Sequence, residues 1–440
     1  MMNIFLQTLR FKKFPIDEAI KRLREVQSKS EQEFDEFQTS MRWEIFKHHY
    51  NNNKNYKAWV DSKSEAPITS WEQIPVLTKK DLQKPVDERL TAGYTAKDVY
   101  MHNTSGSTGT PFFFAKDRFC HAMTWAMILD RNARHGIISG KSKQARFYGI
   151  PLGFIKNKME KIKDLIANRV RFPIFDLSDA VLDKYFEVFK KHKFEYLNGY
   201  TSSLVLFANY LIRRGIVLKD VCPTLKVTFP TSEMCTEDDR KVLEKGFGIP
   251  VANEYGAAEL DLIAFEDKDF DWILNEENLY IEIVDDNNRP VPNGQEGKVI
   301  ITSLYNKAMP FVKYELGDVG TISTRKKGIY RILQSLTGRT NDVAILPGGK
   351  KSPGLTFYYI SKKLLESGGF MKEFIIRQTS LSHFHYEYVA DRDINDEEKA
   401  AVAKAMDTYL EPGLTCSFER KEVITRTKAG KLKHFQSAIK

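Results

Sequence analysis

The chain has 440 residues, 42% of them hydrophobic, 12% aromatic and 28% charged, with 25 glycines and 16 prolines, which is enough for two or three cores and excludes a low-complexity or largely disordered chain. The net charge of +9 suits a polyanionic partner or a nucleotide site, but the basic residues are dispersed among acids with no compact, aromatic-interleaved basic stretch, so no nucleic-acid partner is expected. Cys120, Cys222, Cys235 and Cys416 show no C-x-x-C spacing, which argues against a disulfide framework and a thiolate zinc site and fits a reducing, cytoplasmic setting.

Residues 1–13 mix apolar side chains with Arg10, Lys12 and Lys13 and read as an amphipathic helix or turn, without the continuous apolar stretch of a secretory signal. From residue 16 to about 59, apolar residues at three and four spacing, among them Ile20, Leu23, Phe34 and Phe37, predict a helical layer. Residues 70–82 predict a loop ending in a helix capped by Thr78. From there to about residue 337, short apolar runs such as 225–229 alternate with helical stretches such as 179–191, so we expect α/β layers around a mainly parallel sheet. The longest apolar run, 204–212, is broken by Asn209 and falls far short of the roughly 20 residues of a membrane span. No transmembrane segment is expected.

Beyond Gly338 the pattern changes. Residues 374–377, 383–389 and 416–423 predict strands and 395–409 an amphipathic helix, a small α+β domain. The expected division is therefore a large α/β domain over 1–340 and a small α+β domain over 341–440.

The run Thr104-Ser105-Gly106-Ser107-Thr108-Gly109-Thr110-Pro111 joins small residues, whose backbone N–H groups can approach an anion, to hydroxyls that add donors, which suits phosphates. A flexible surface loop explains the run equally well. A Walker loop does not, because Gly109 is followed by Thr110 and not by lysine. A nucleophile elbow on Ser107 fits poorly, since Ser105 stands at the first glycine position and residues 112–114 look extended.

Asn253-Glu254-Tyr255-Gly256-Ala257-Ala258-Glu259 places an aromatic beside a glycine and then a carboxylate, a set suited to a base and a magnesium ion. Tyr314-Glu315-Leu316-Gly317-Asp318 ends in an aspartate able to accept hydrogen bonds from a ribose diol. Gly338-Arg339-Thr340-Asn341-Asp342 and Ala429-Gly430-Lys431 follow. Each is weak by itself, since an aspartate turn or a basic tail is ordinarily a solvated loop. In this order, over about residues 70–437, they resemble the adenylate-forming superfamily of acyl-CoA synthetases, amino-acid adenylation domains and luciferases. The 71–82 segment and the His102 lead into the loop resemble its phenylacetate-CoA ligase branch, and Asn198-Gly199-Tyr200-Thr201-Ser202 resembles CapK-like proteins of capsular polysaccharide loci.

The resemblance implies ATP-dependent activation of a carboxylic acid to an acyl-adenylate, followed by transfer to CoA or another acceptor such as a sugar amine or a carrier. It implies that Thr104, Ser105, Gly106, Ser107, Thr108 and Gly109 cover the ATP phosphates and that Thr231, Ser232 and Glu233 wall the adenine pocket. Tyr255, with Gly256, would stack on adenine, Glu259 would ligate Mg²⁺, Asp318 would hold the ribose and Arg339 would support the nucleotide at the hinge. Lys431 would bridge the carboxylate and the α-phosphate. Tyr148, Gly149, Tyr200 and Ala257 are candidates for the acid pocket, with ordinary core packing as the alternative for each aromatic.

Three departures stand out: Ala258 where the family usually has a hydroxyl, Asn341 where Asp or Lys is usual, and Lys313 for arginine, which loses a bidentate fork. Glu266-Asp267-Lys268-Asp269 supplies no Cys or His where some members of the branch hold zinc, so no zinc is expected. A small acid and an acyl acceptor are the expected partners, with homodimerisation left open. A catalytically silent relative is the alternative of another class, opposed by the joint presence of Glu259, Asp318 and Lys431.

Overall fold

The computed structural model describes residues 3–64, 67–103, 112–149, 154–337, 343–353, 356–357, 360–361, 371–424 and 435–439. Among them the chain forms two compact units, one from Met1–Thr104, Phe112–Gly136 and Glu254–Gly338, the other from Ile137–Asn253 and Arg339–Lys440. In this division Ile137–Asn253 groups with the C-terminal segment.

The first unit opens with the expected helices. Ile16–Gln27, Glu31–Asn52 and Lys54–Asp61 bury Leu23, Phe34, Phe37, Ile45 and Val60 at the expected spacing. Ser30 and Glu33 form a reciprocal capping box that starts the second of them. The expected helix after Thr78 does not form. The segment holds only a short 3₁₀ turn at Trp71–Gln73, and Leu77 pairs with the Lys313–Glu315 backbone instead (Leu77 N to Lys313 O 2.9 Å, Glu315 N to Leu77 O 2.8 Å). Thr78 caps a turn, its backbone N–H donating to Asp81 at 2.9 Å.

The unit's main sheet has seven strands in the order Leu279–Val284, Glu296–Ser303, Tyr314–Lys327, Tyr330–Thr337, Trp272–Leu274, Asp261–Glu266, Glu254–Ala257, paired antiparallel throughout. A hairpin of Tyr100–Asn103 and Phe113–Lys116 brackets the glycine-rich segment, whose residues 104–111 lie outside those described. Phe112, Phe114, Tyr255, Ile263, Ile301 and Tyr314 share one core.

The second unit carries the parallel sheet that the alternating pattern predicts, in the order Arg169–Phe172, Gln144–Phe147, Tyr196–Tyr200, Val227–Thr231. The mixed α/β class holds, with parallel pairing in this sheet and antiparallel pairing in the larger one. Helices Asp179–Lys191 and Thr201–Arg213 pack with it around Phe147, Phe172, Phe189, Phe194 and Phe207, the first two stacked with centroids 4.9 Å apart. Gly199 is required where its strand meets its neighbour, because a Cβ there would lie 2.6 Å from Phe147 Cβ.

In the C-terminal segment Met371–Ser380 and His383–Ala390 pair antiparallel, flanked in parallel by Phe435–Ser437 and Thr415–Arg420, with the helix Asp396–Tyr409 capped by Asn395. This α+β body has its own core, to which Phe175 contributes against Tyr409.

Candidate active site

In the first unit the two tyrosine-carboxylate motifs cross. Tyr255 is the second residue of the edge strand Glu254–Ala257 and its hydroxyl donates to Asp318 Oδ2 at 2.9 Å. Tyr314 begins the strand Tyr314–Lys327 and its hydroxyl donates to Glu259 Oε1 at 3.0 Å. Each motif therefore supplies the hydrogen bond that orients the other's carboxylate. The two strands are the seventh and third of the sheet, roughly 19 Å apart at the ~4.8 Å strand spacing of a flat sheet, so these contacts require the sheet to curl.

Glu259 is 6% exposed and Tyr314 1%. Burial first, and then the adjoining Glu259 carboxylate, hold the Tyr314 hydroxyl well above the usual phenol range, so it stays a donor. Tyr314 is a candidate site residue that sequence reasoning missed. Its position four residues before Asp318, matching Tyr255 before Glu259, is the signal that would have found it.

Gly256 is exposed and Ala257 partly so. A Cβ at Gly256 would lie 2.5 Å from the Asp261 carbonyl oxygen, so the hairpin can close only with glycine there. The Tyr255 ring is 8% exposed and lies in the core, 6.4 Å from Trp272. Lys313 is buried, donates to the Trp71 carbonyl at 3.3 Å, and has its pKa lowered by burial against the opposing pull of Glu282 and Glu72. It ties the 71–82 segment to the Tyr314 strand.

In the second unit Thr231 ends the last parallel strand, Ser232 takes a left-handed φ of 66°, and Glu233 turns onto the start of the helix Thr201–Arg213. Its carboxylate accepts from the Ser202 N–H at 2.8 Å and the Ser202 hydroxyl at 2.7 Å, as an anion does at a helix N-terminus. Enclosure nonetheless raises its pKa, the two Ser202 bonds opposing the rise. Tyr148 and Tyr200 meet with centroids 4.5 Å apart, the Arg146 guanidinium lies 4.1 Å over the Tyr148 ring, and the Tyr148 hydroxyl approaches Ser232 Oγ at 3.5 Å. Gly149 is buried and its carbonyl accepts from Arg171 at 3.1 Å.

The structure thus gathers Tyr255, Gly256, Ala257, Glu259 and Asp318 in one unit and Tyr148, Gly149, Tyr200, Thr231, Ser232 and Glu233 in the other. Thr104–Gly109, Arg339, Asn341 and Lys431 lie outside the described residues. No group of three or more His, Cys, Asp or Glu that could hold a metal occurs among the described residues. Glu259 offers one carboxylate whose second oxygen takes no hydrogen bond among them, a donor set that fits magnesium held by one carboxylate plus substrate phosphates.

CapK of Staphylococcus aureus is 25% identical over 336 residues, covering 74% of this chain and 71% of that protein. A phenylacetate-coenzyme A ligase of Aromatoleum evansii is 24% identical over 326 residues, covering 70% of each. The chain is similar to phenylacetate-CoA ligases and to CapK. No protein-family model matches it. Among solved structures, 2-hydroxyisobutyryl-CoA ligase in complex with 2-HIB-AMP and CoA superposes with a TM-score of 0.58 at 17% identity, covering 92% of this chain and 90% of that one. That likeness shows the fold alone. No helix among the described residues is long and apolar enough to cross a membrane.

Proposed function

We propose that the protein activates a carboxylic acid with ATP, releasing pyrophosphate to give an acyl-adenylate, and then transfers the acyl group to CoA. The observation that carries this reading is the crossing of the two motifs, which fixes Glu259 and Asp318 through Tyr314 and Tyr255 in a chain related to phenylacetate-CoA ligases.

In the adenylating step a carboxylate oxygen attacks the α-phosphorus and pyrophosphate departs, so two anions must approach one another. Magnesium, when bound, supplies positive charge at the phosphates, and Glu259 is the residue that would hold it. Asp318, held by the Tyr255 hydroxyl, accepts from the ribose hydroxyls. The Lys431 ammonium offsets charge on the carboxylate and α-phosphate, and the glycine-rich segment 104–109 covers the phosphates. Arg339 supports the nucleotide, while Tyr148, Gly149, Tyr200 and Ala257 border the acid. The small C-terminal domain then swings, withdrawing Lys431 and admitting the acceptor.

The likeness to CapK, together with the Asn198–Ser202 run, favours a second acceptor, a sugar amine or a carrier. Acid-dependent exchange of labelled pyrophosphate into ATP, screened from phenylacetate outward, tests the adenylating step whatever the acceptor is. Production of ADP and phosphate in place of AMP and pyrophosphate refutes it. Consumption of the accumulated adenylate on adding CoA separates the two acceptors.

A further inference from the structure

Lys116 ends the strand Phe113–Lys116, the return strand of the hairpin that brackets the glycine-rich segment. Its side chain is only 2% exposed, an environment in which an ammonium must be paired and hydrogen-bonded. Two partners meet it. One is the Asp261 carboxylate, and the other is the backbone carbonyl of Ala258, at 3.1 Å. Asp261 takes a second donor, the Thr124 hydroxyl at 2.5 Å, from the helix Arg118–Arg134.

Asp261 also carries a left-handed φ of 64°, a conformation that aspartate tolerates better than most side chains. Leu260 N donates to Ala257 O at 3.0 Å. The turn between Ala257 and Asp261 is therefore held by its own backbone, by Thr124 and by Lys116. Glu259 sits in the middle of it, directly after the carbonyl that Lys116 grips. Ala258 has no side-chain polar atom of its own, so the carbonyl is where an outside group can hold this residue in place.

We infer that Lys116, braced by Asp261, is a positioning residue that sets the Ala258–Glu259 backbone so that the Glu259 carboxylate meets the magnesium of bound ATP; the inference rests on the function proposed above. Lys116 also joins the strand leaving the phosphate-loop hairpin to the turn carrying the metal carboxylate, so one ammonium keeps both in register.

The test is calorimetric titration of ATP into the full chain, in magnesium and in EDTA, with melting temperature recorded for each variant. Wild type binds ATP more tightly in magnesium, and Glu259→Gln loses that gain. Lys116→Met and Asp261→Asn each lose about 10- to 100-fold of the magnesium-dependent gain, the scale seen when groups that orient a metal ligand are removed, with binding in EDTA unchanged. Retention of the full gain in Lys116→Met, whatever its melting temperature, overturns the positioning role. Should Lys116→Met and Asp261→Asn not fold, Thr124→Val, which removes one donor from Asp261, carries the test. A smaller loss of the gain supports the role and an intact gain overturns it. Absence of any magnesium gain in wild type, or its persistence in Glu259→Gln, refutes instead the functional reading on which the role depends.

Discussion

Replacing Tyr314 with Phe removes one oxygen atom, and the structure states what that oxygen does. It donates to Glu259 Oε1 at 3.0 Å from a side chain 1% exposed onto a residue 6% exposed, where water cannot readily take its place. A hydrogen bond to a charged acceptor is worth about 1.5–3 kcal/mol net, and stranding a buried carboxylate puts the loss toward the upper end. Tyr255→Phe removes the companion bond, 2.9 Å long, but Asp318 is only half-buried and water can replace the donor, so the expected loss is about 1 kcal/mol. Two double-mutant cycles separate these bonds from everything else the residues do: Tyr314→Phe with Glu259→Gln, and Tyr255→Phe with Asp318→Asn. Urea unfolding at neutral pH without nucleotide is the measurement. A Tyr314–Glu259 coupling of about 2 kcal/mol, larger than that of Tyr255–Asp318, is expected. A coupling no larger than the ~0.3–0.5 kcal/mol at which distant sites add, or the reverse order of the two pairs, refutes the crossed arrangement as a brace.

Lys431→Ala is expected to slow adenylation by about 10²–10³, or ~3–4 kcal/mol of barrier, while leaving acceptor transfer from a synthetic acyl-adenylate intact, with Lys428→Ala as the control; equal slowing of both half-reactions refutes the two-orientation mechanism. Metal analysis of the purified protein is expected to return no stoichiometric zinc, given the missing Cys and His around Glu266, and one zinc per chain overturns that expectation. His49 is fully buried between Thr91 Oγ1 and the Asn306 carbonyl, both at 2.8 Å, and burial depresses its pKa to about 3, with His48 adding to the effect. Burial likewise depresses His121 to about 4. Between those values and 6.5 the unfolded chain binds protons that the native state does not, so stability falls with falling pH by up to about 1.4 kcal/mol per unit for each histidine. His49→Gln should reduce the slope between pH 6 and 5 in urea titrations, and an unchanged slope refutes the assignment.

What was legible in the sequence follows the range over which each interaction acts. The helix expected over 179–191 is found as Asp179–Lys191, and the one expected over 395–409 as Asp396–Tyr409 with Asn395 as its cap, because periodicity and capping are settled within a few residues. Thr78 shows the opposite case. Its local signal is a good helix cap, but Leu77 is claimed by the Tyr314 strand more than two hundred residues along the chain, and that pairing keeps the segment extended. The antiparallel order of the seven-stranded sheet was hidden for the same reason, since alternation along a strand reports its buried face and not its neighbour.

The site divides along the same line. Glu259 and Asp318 were visible as candidates because each stands in a short run of residues that suggests its chemistry. What holds them was not, because the Tyr255–Asp318 and Tyr314–Glu259 bonds span 63 and 55 residues, and Lys116 reaches Asp261 across 145. A motif read alone says which carboxylate is offered to a ligand; only its distant donors say where that carboxylate points. Glu233 makes the point from the other side. Expected from the sequence as part of the adenine-pocket wall, it has its carboxylate taken up by Ser202 at the start of a helix. The Asn198–Ser202 and Thr231–Glu233 segments are therefore one structural element, and a change in either should be felt at the other: Ser202→Ala leaves the enclosed Glu233 carboxylate short of a donor and drives its already raised pKa higher.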